Sequence, residues 1–108
     1  MGNLVDKTVA LDELGLDDED FAEFIVDLRE FTDEALPQLS EAVKSRDFNQ
    51  IKEKAHAIKG ALANLHFVKA AEVAYYLENA GRNSDATGID EKVSELSEVL
   101  VQSYDELS

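Results

Sequence analysis

The sequence contains no cysteine and no tryptophan, and it has only one proline and five glycines among 108 residues. The absence of cysteine excludes disulfides, thiol catalysis and zinc–thiolate sites. So few prolines and glycines leave little room for the turns that a sandwich or barrel of short strands requires. No apolar run approaches the roughly 20 residues that cross a bilayer, and the N-terminus lacks a secretory signal pattern. These absences favour an all-α protein, which we expect in the cytoplasm.

Basic residues are also scarce, since 10 Lys and Arg stand against 24 Asp and Glu, which gives a net charge of −14. This charge argues against nucleic acid or an anionic membrane as a partner, because phosphates are bound by Lys and Arg. The charge is uneven along the chain. Residues 48–69 carry a net +3, whereas residues 1–47 carry −10 and residues 70–108 carry −7. Residues 48–69 are thus the one basic stretch of an acidic chain.

Apolar residues recur every three or four positions through most of the chain, which is the period of amphipathic helices. A short helix is predicted over about 7–14, with Gly15 as its C-terminal glycine. A long helix follows from an N-cap at Asp17. Pro37 should kink or split that helix, because proline lacks a backbone donor. Residues 1–5 are expected to be loose.

Three more helices are predicted after residue 46. Asp47 should cap the third helix, whose apolar seam runs through residues 48–65. The fourth helix is predicted over about 68–80, with Gly81 as its stop.

The fifth helix is predicted over about 88–106, with Thr87 as its cap. Four amphipathic helices with short connections indicate an antiparallel four-helix bundle, here preceded by a short N-terminal helix. No repeat or linker interrupts the pattern, so we expect residues 1–108 to form a single domain and a monomer.

The chain has two histidines, and helical geometry separates them. His56 points about 130° away from the apolar seam, toward solvent, whereas His66 falls at the edge of the core. Lys59 lies one turn after His56, and Gly60 neighbours it directly at position i+4. A glycine inside a helix costs about 1 kcal/mol relative to alanine. Here the glycine leaves the helix surface beside the imidazole without a covering side chain.

An exposed imidazole with a bare patch and a cation beside it suits a group that another protein must reach and that must carry phosphate. The charge of Lys59 favours the neutral, nucleophilic ring, and it would offset the negative charge of an added phosphoryl group. The plain alternative is a solvated surface histidine.

The run AHAIKGALANL at residues 55–65 resembles the signature of histidine-containing phosphotransfer (HPt) domains. The core pattern of that family is H-x-x-K-G, followed by an Ala-Asn-Leu-like stretch. A long acidic helix with an internal proline, the histidine helix and two closing helices are also the family's layout. The resemblance implies a four-helix bundle that accepts a phosphoryl group from an aspartate of one receiver domain and passes it to an aspartate of another.

By that resemblance His56 is the phosphoacceptor, Lys59 supports the phosphoryl group and Gly60 gives the receiver access. Glu78 stands where family members often place a glutamine that holds the other imidazole nitrogen. It could orient the ring in the same way, or be an ordinary helix acid. The candidates for receiver contact are Lys52, Ala57, Ala61, Ala63 and Arg82. The alternative for Arg82 is an ordinary basic residue at a helix C-terminus, where its charge complements the helix dipole.

No P-loop, Gly-rich nucleotide loop or second ATP-binding domain is present in the sequence. We therefore expect a phosphocarrier of a two-component phosphorelay rather than an enzyme. The resemblance implies receiver domains and a (hybrid) histidine kinase as partners. We expect no metal site in this chain, and Mg²⁺ should come from the receiver.

The chain departs from the family at His66, because glycine is usual ten residues after the histidine. We expect His66 to be packed or to end the helix, since ten residues turn a helix by about 280°, away from the face of His56. A calcium loop over 83–88 is rejected, because EF-hand position 12 would be Ser94. Two alternatives stay open: a helical adaptor without phosphate chemistry, and a detached domain of a chemotaxis-type or hybrid kinase. The initial Met mildly favours a free-standing relay protein.

Overall fold

The computed structural model describes residues 3–108, and every regular element among them is an α-helix. The helices are α1 (Lys7–Leu14), α2 (Asp18–Lys44), α3 (Phe48–Asn64), α4 (Val68–Arg82) and α5 (Ile89–Leu107). The connections 45–47 and 65–67 are so short that successive helices run antiparallel. The all-α four-helix bundle with a short N-terminal helix is confirmed. Within residues 3–108 no helix is both long and apolar enough to cross a membrane.

The starts of α2 and α3 are set by aspartates, as predicted. Asp17 Oδ1 accepts the Asp20 amide at 2.8 Å, and Asp47 Oδ1 accepts the Gln50 amide at 3.2 Å. Each bond satisfies one of the amides that a helix leaves unpaired in its first turn. Gly15 ends α1 in the left-handed conformation, with φ of 65°. These local signals give α2 and α3 the register that decides which side chains face the core.

The core runs through all four long helices. Its largest fully buried side chains include Leu39, Ile51, Ile58, Leu62, Phe67, Leu77, Ile89 and Leu96. Each such aliphatic or aromatic side chain contributes roughly 1.5–3 kcal/mol by leaving water. The buried Tyr104 hydroxyl bonds Thr32 Oγ1 at 2.8 Å, which joins α5 to α2 through the core. Because α3 packs its apolar face against this core, the opposite face of α3 lies in solvent.

Of the two outcomes predicted at Pro37, a kink or a split, the split does not occur, because α2 is continuous over Asp18–Lys44. Proline removes one backbone donor. Ala35 and Leu39, on either side of Pro37, are both buried in the core. Tertiary packing therefore holds the two halves together across the missing hydrogen bond.

Gly81 does not stop the fourth helix, which continues to Arg82. Gly81 is buried, and a Cβ built on it would lie 2.5 Å from the backbone nitrogen of Lys52 and 2.8 Å from the carbonyl oxygen of Phe48. The glycine thus serves close packing of α4 on α3. In the sequence alone, a glycine that ends a helix looks the same as a glycine near a helix end that permits close packing.

Thr87 does not cap the fifth helix, because that position belongs to Gly88, with φ of 70°. The Thr87 amide donates to Asp85 Oδ1 at 2.9 Å, and its carbonyl accepts the Tyr76 hydroxyl at 2.9 Å. Thr87 is therefore part of the loop that precedes α5.

Residues 1 and 2 lie outside the described residues, but the expectation of a loose 1–5 segment is wrong at Leu4 and Val5. Both of their amides donate to the Glu106 carboxylate at 2.9 Å. The Val5 side chain is only 2% exposed. The last turn of α5 thus supplies an acceptor, and the core supplies a place for an apolar side chain.

Candidate functional site

His56 lies on the solvent side of α3, and 67% of its side chain is exposed. Its helix neighbours Ala55 and Ile58 are fully buried in the core. The direction that the apolar seam predicted for this imidazole is confirmed. The ring is therefore reachable from outside while its helix is fixed by packing.

The ring is held by Glu78 of α4. Glu78 Oε2 lies 3.0 Å from His56 Nδ1, and the glutamate side chain is only 4% exposed. Because a carboxylate can only accept, this hydrogen bond assigns the ring proton to Nδ1. In the neutral imidazole, Nε2 is then the nitrogen with a free lone pair. Of the two readings of Glu78, the structure places it as a partner of the imidazole.

Two cations share the same carboxylate. Lys59 Nζ lies 2.7 Å from Glu78 Oε1, and Arg82 Nη2 lies 2.8 Å from Oε2. Burial raises the pKa of Glu78, but the hydrogen bonds and charges of Lys59 and His56 outweigh burial and hold that pKa below its usual value of 4.5. Glu78 is therefore an anion at neutral pH, and a buried anion requires such partners.

Lys59 is fixed from a second side as well. Its ammonium lies 5.2 Å from the centroid of the Tyr75 ring, within the range of a cation–π contact. The cation therefore stands beside His56, bound to Glu78 and covered by an aromatic ring. Its predicted support of a phosphoryl group stays a prediction.

Gly60 and Gly81 play different parts around His56. A Cβ on Gly60 would meet nothing within 4 Å, so no packing in the described structure demands glycine there. Gly81 lets the α4 backbone touch α3 at Lys52, one turn before His56, and this approach brings Glu78 within reach of the ring. Sequence reasoning missed this role of Gly81. Its position inside the α4 apolar register is the signal that points to it.

The remaining predicted contact residues surround the histidine at different depths. Ala57, Ala63 and Arg82 are exposed, whereas Lys52 and Ala61 are half-buried. Ala63 and Lys59 also line a shallow apolar groove between α3 and α4. The other groove residues include Ala71, Tyr75, Val68 and His66. The structure thus brings the small α3 side chains and an apolar groove to the face that presents His56.

His66 ends α3, which agrees with the sequence expectation. It adopts a left-handed φ of 58°. Its amide donates to Ala63 at 3.1 Å, and the Phe67 amide donates to Leu62 at 2.9 Å, the two bonds of a Schellman motif. Nε2 of His66 lies 2.8 Å from Glu13 Oε2 of α1. This histidine therefore occupies a position that usually suits glycine, and its ring binds the N-terminal helix.

Comparison with models of protein families matches residues 23–108 to the Hpt domain. The chain belongs to the Hpt domain family. No curated protein and no solved structure matches the chain. Hpt domains act in phosphotransfer of two-component signalling, as phosphocarriers that interact with kinases and receiver domains. The N-terminal helix α1 precedes the matched part of this Hpt protein.

The charges of this Hpt site do not suit a divalent cation. Both oxygens of Glu78, the buried carboxylate beside His56, are bound to cationic side chains. Within residues 3–108 no three His, Asp or Glu side chains are grouped to hold a metal ion.

Proposed function

We propose that this Hpt protein carries a phosphoryl group on Nε2 of His56 between the aspartates of receiver domains. One observation supports this most strongly: an exposed imidazole whose Nδ1 is bound by a carboxylate that is itself buried. A merely solvated histidine has no need of a buried ionic partner, because burial of a charge is costly.

The chemical step uses the free lone pair of Nε2. Nε2 attacks the phosphorus of the aspartyl phosphate, the N–P bond forms, and the acyl O–P bond breaks with release of the receiver's carboxylate. The Nδ1 proton stays on the ring and faces Glu78. Donation reverses these steps with a second receiver. Catalysis of this kind depends on in-line positioning and charge neutralisation.

Side chains around His56 meet both needs. Lys59 is close enough to exchange part of its contact with Glu78 for a phosphoryl oxygen, since its flexible stem carries the ammonium. Gly60 leaves the surface beside the ring open for a receiver. Mg²⁺ would come from the receiver, because Glu78 is already bound to Lys59 and Arg82.

The docking surface would include the exposed face of α3 and the apolar groove beside it. Tyr75 and Val68 are large side chains exposed there. Lys52 and Arg82 add positive charge to a chain with a net charge of −14, which favours an acidic partner at this face. A relay must release each partner, so a small, transient interface is expected. We further expect a cytoplasmic monomer that has no ATP site and receives phosphate from a hybrid kinase.

The test is phosphoryl transfer from labelled, Mg²⁺-loaded phospho-receivers to the wild-type chain, to His56→Gln and to His66→Gln. We expect acid-labile, base-stable label on the wild type and on His66→Gln, and none on His56→Gln. Label on His56→Gln would place the acceptor elsewhere. No label on the wild type from a broad receiver panel would favour the helical adaptor instead.

A further inference from the structure

Glu78 differs chemically from a neutral partner because it cannot donate to the imidazole. An amide side chain has both an acceptor oxygen and a donor nitrogen, so it satisfies Nδ1 with or without a proton. The Glu78 carboxylate, anionic and 3.0 Å from Nδ1, satisfies only the protonated nitrogen. The identity of this one residue thus decides whether Nδ1 can lose its proton and still have a hydrogen-bond partner.

The charge of the ring matters most once Nε2 carries the phosphoryl group. A ring that keeps the Nδ1 proton is then cationic, and cleavage of the N–P bond releases neutral imidazole. A ring that has lost the proton must leave as an imidazolate anion, which is a much poorer leaving group. Retention of the proton therefore speeds transfer to an acceptor and also speeds hydrolysis.

Three cationic side chains lie near Glu78 and the ring, and the phosphoryl group offsets much of their charge. Lys59 of α3 and Arg82 of α4 both bind Glu78, and Lys52 lies one turn before His56 on α3. A phosphoryl group brings about −1.5 to −2 charges, which offsets the two bound cations. The carboxylate makes the surroundings of the ring one charge more negative than a neutral side chain at the same place would, and this difference favours the protonated ring.

On the basis of the proposed function, we infer that Glu78 keeps Nδ1 protonated while Nε2 is phosphorylated, so that this chain is a labile carrier biased toward donation. In this role Glu78 is a positioning residue that acts through His56. The phosphoryl group itself is passed by Nε2 to an acceptor oxygen, and the N–P electron pair returns to Nε2.

The test compares wild type, Glu78→Gln and the charge-matched control Glu98→Gln, whose glutamate is exposed on α5. Each chain is phosphorylated by a phospho-receiver and purified, and phosphohistidine hydrolysis is followed from about pH 6 to pH 9. An opposite charge at this range favours the charged ring by about 1–3 pH units. The hydrolysis rate of the wild type should therefore fall at a pH higher by that amount than the rate of Glu78→Gln. Near pH 8 the variant's phosphohistidine should live about tenfold longer or more, while Glu98→Gln should match the wild type.

A second measurement does not depend on the variant. The ¹⁵N shift of His56 Nδ1 in the phosphorylated wild type should report a protonated nitrogen at pH 8. Equal hydrolysis profiles for wild type and Glu78→Gln, or an unprotonated Nδ1 at pH 8, would overturn the inference and leave the proposed function standing. A wild-type chain that forms no phosphohistidine would overturn the proposed function and the inference with it.

Discussion

Gly81 of α4 lies against Lys52 of α3 so closely that a Cβ on the glycine would sit 2.5 Å from the lysine backbone nitrogen. The two helices thus meet backbone to backbone one turn before His56. Glu78 lies three residues before Gly81 on the same helix, and from there its carboxylate reaches the imidazole. The approach of α4 to α3 therefore sets the distance between the carboxylate and the ring.

Gly81→Ala should destabilise the fold. The atoms nearest the new Cβ belong to the backbone of α3, so the helices must separate. Overpacking of this kind costs about 1–3 kcal/mol, which urea unfolding would measure. Gly60→Ala is the matched control, because its Cβ meets nothing and alanine is the better helix former by about 1 kcal/mol. Equal stability of Gly81→Ala and wild type would contradict the close approach.

Gly60→Gln should distinguish the access of a receiver domain to His56 from the chemical reactivity of the imidazole. The longer side chain lies beside His56 on an exposed surface, so the free energy of unfolding should not fall. Transfer from a receiver domain should slow by about tenfold or more, because misplacement of the reacting groups is costly. Phosphorylation by a small donor such as phosphoramidate should change little. If both donors slow equally, Gly60 does not serve protein access.

Because the pKa of Glu78 is lowered in the folded protein, the free energy of unfolding should depend on pH in the acid range. The carboxylate contributes stability that is present above its usual pKa of 4.5, and this contribution is lost as the pH falls through the lowered value in the folded protein. Between about pH 6 and pH 3 the wild type should therefore lose more stability than Glu78→Gln. Urea unfolding across this range checks the difference. Parallel curves for the two chains would show that Glu78 gains nothing from its cations.

The buried hydrogen bond between Thr32 and Tyr104 should stabilise the fold and have no effect on phosphoryl acceptance at His56. Tyr104→Phe removes the hydroxyl that bonds Thr32 Oγ1 at 2.8 Å, which should cost about 1 kcal/mol. A double-mutant cycle with Thr32→Val should give a coupling of about 0.5–3 kcal/mol. Phosphoryl acceptance should be unchanged in all three variants. Simple additivity of the two substitutions would argue against the bond.

The helices and the direction of His56 could be predicted because both follow from local periodicity. Aspartate caps act within three residues, and the apolar seam of α3 leaves only one direction for a residue at position 56. Local periodicity gave the wrong prediction at Gly81, because glycine is needed there for the close approach of the α3 backbone. It failed again at Val5, whose burial depends on the distant end of α5.

The site was predictable in part for the same reason. Lys59 and Gly60 share a helix with His56, so their placement beside it follows from their spacing. The pairing of Glu78 with Nδ1 depends on how closely α4 approaches α3, and the sequence left it open beside an ordinary helix acid. The Lys59 cation on Glu78 was also out of reach, because that ion pair joins α3 to α4 and depends on a tertiary distance. The Arg82 cation lies at i+4 from Glu78 within α4, so the spacing of the two residues was a signal that could have found this pair.

The most direct measurement locates the phosphoryl group on an atom. Wild-type chain with ¹⁵N-labelled histidine is phosphorylated by a phospho-receiver, and the ring nitrogens of both histidines are followed by NMR. The account predicts that Nε2 of His56 gains the phosphoryl group, while the ring of His66 keeps its unmodified pattern. Phosphorylation of His66, of Nδ1 of His56, or of neither histidine would contradict it.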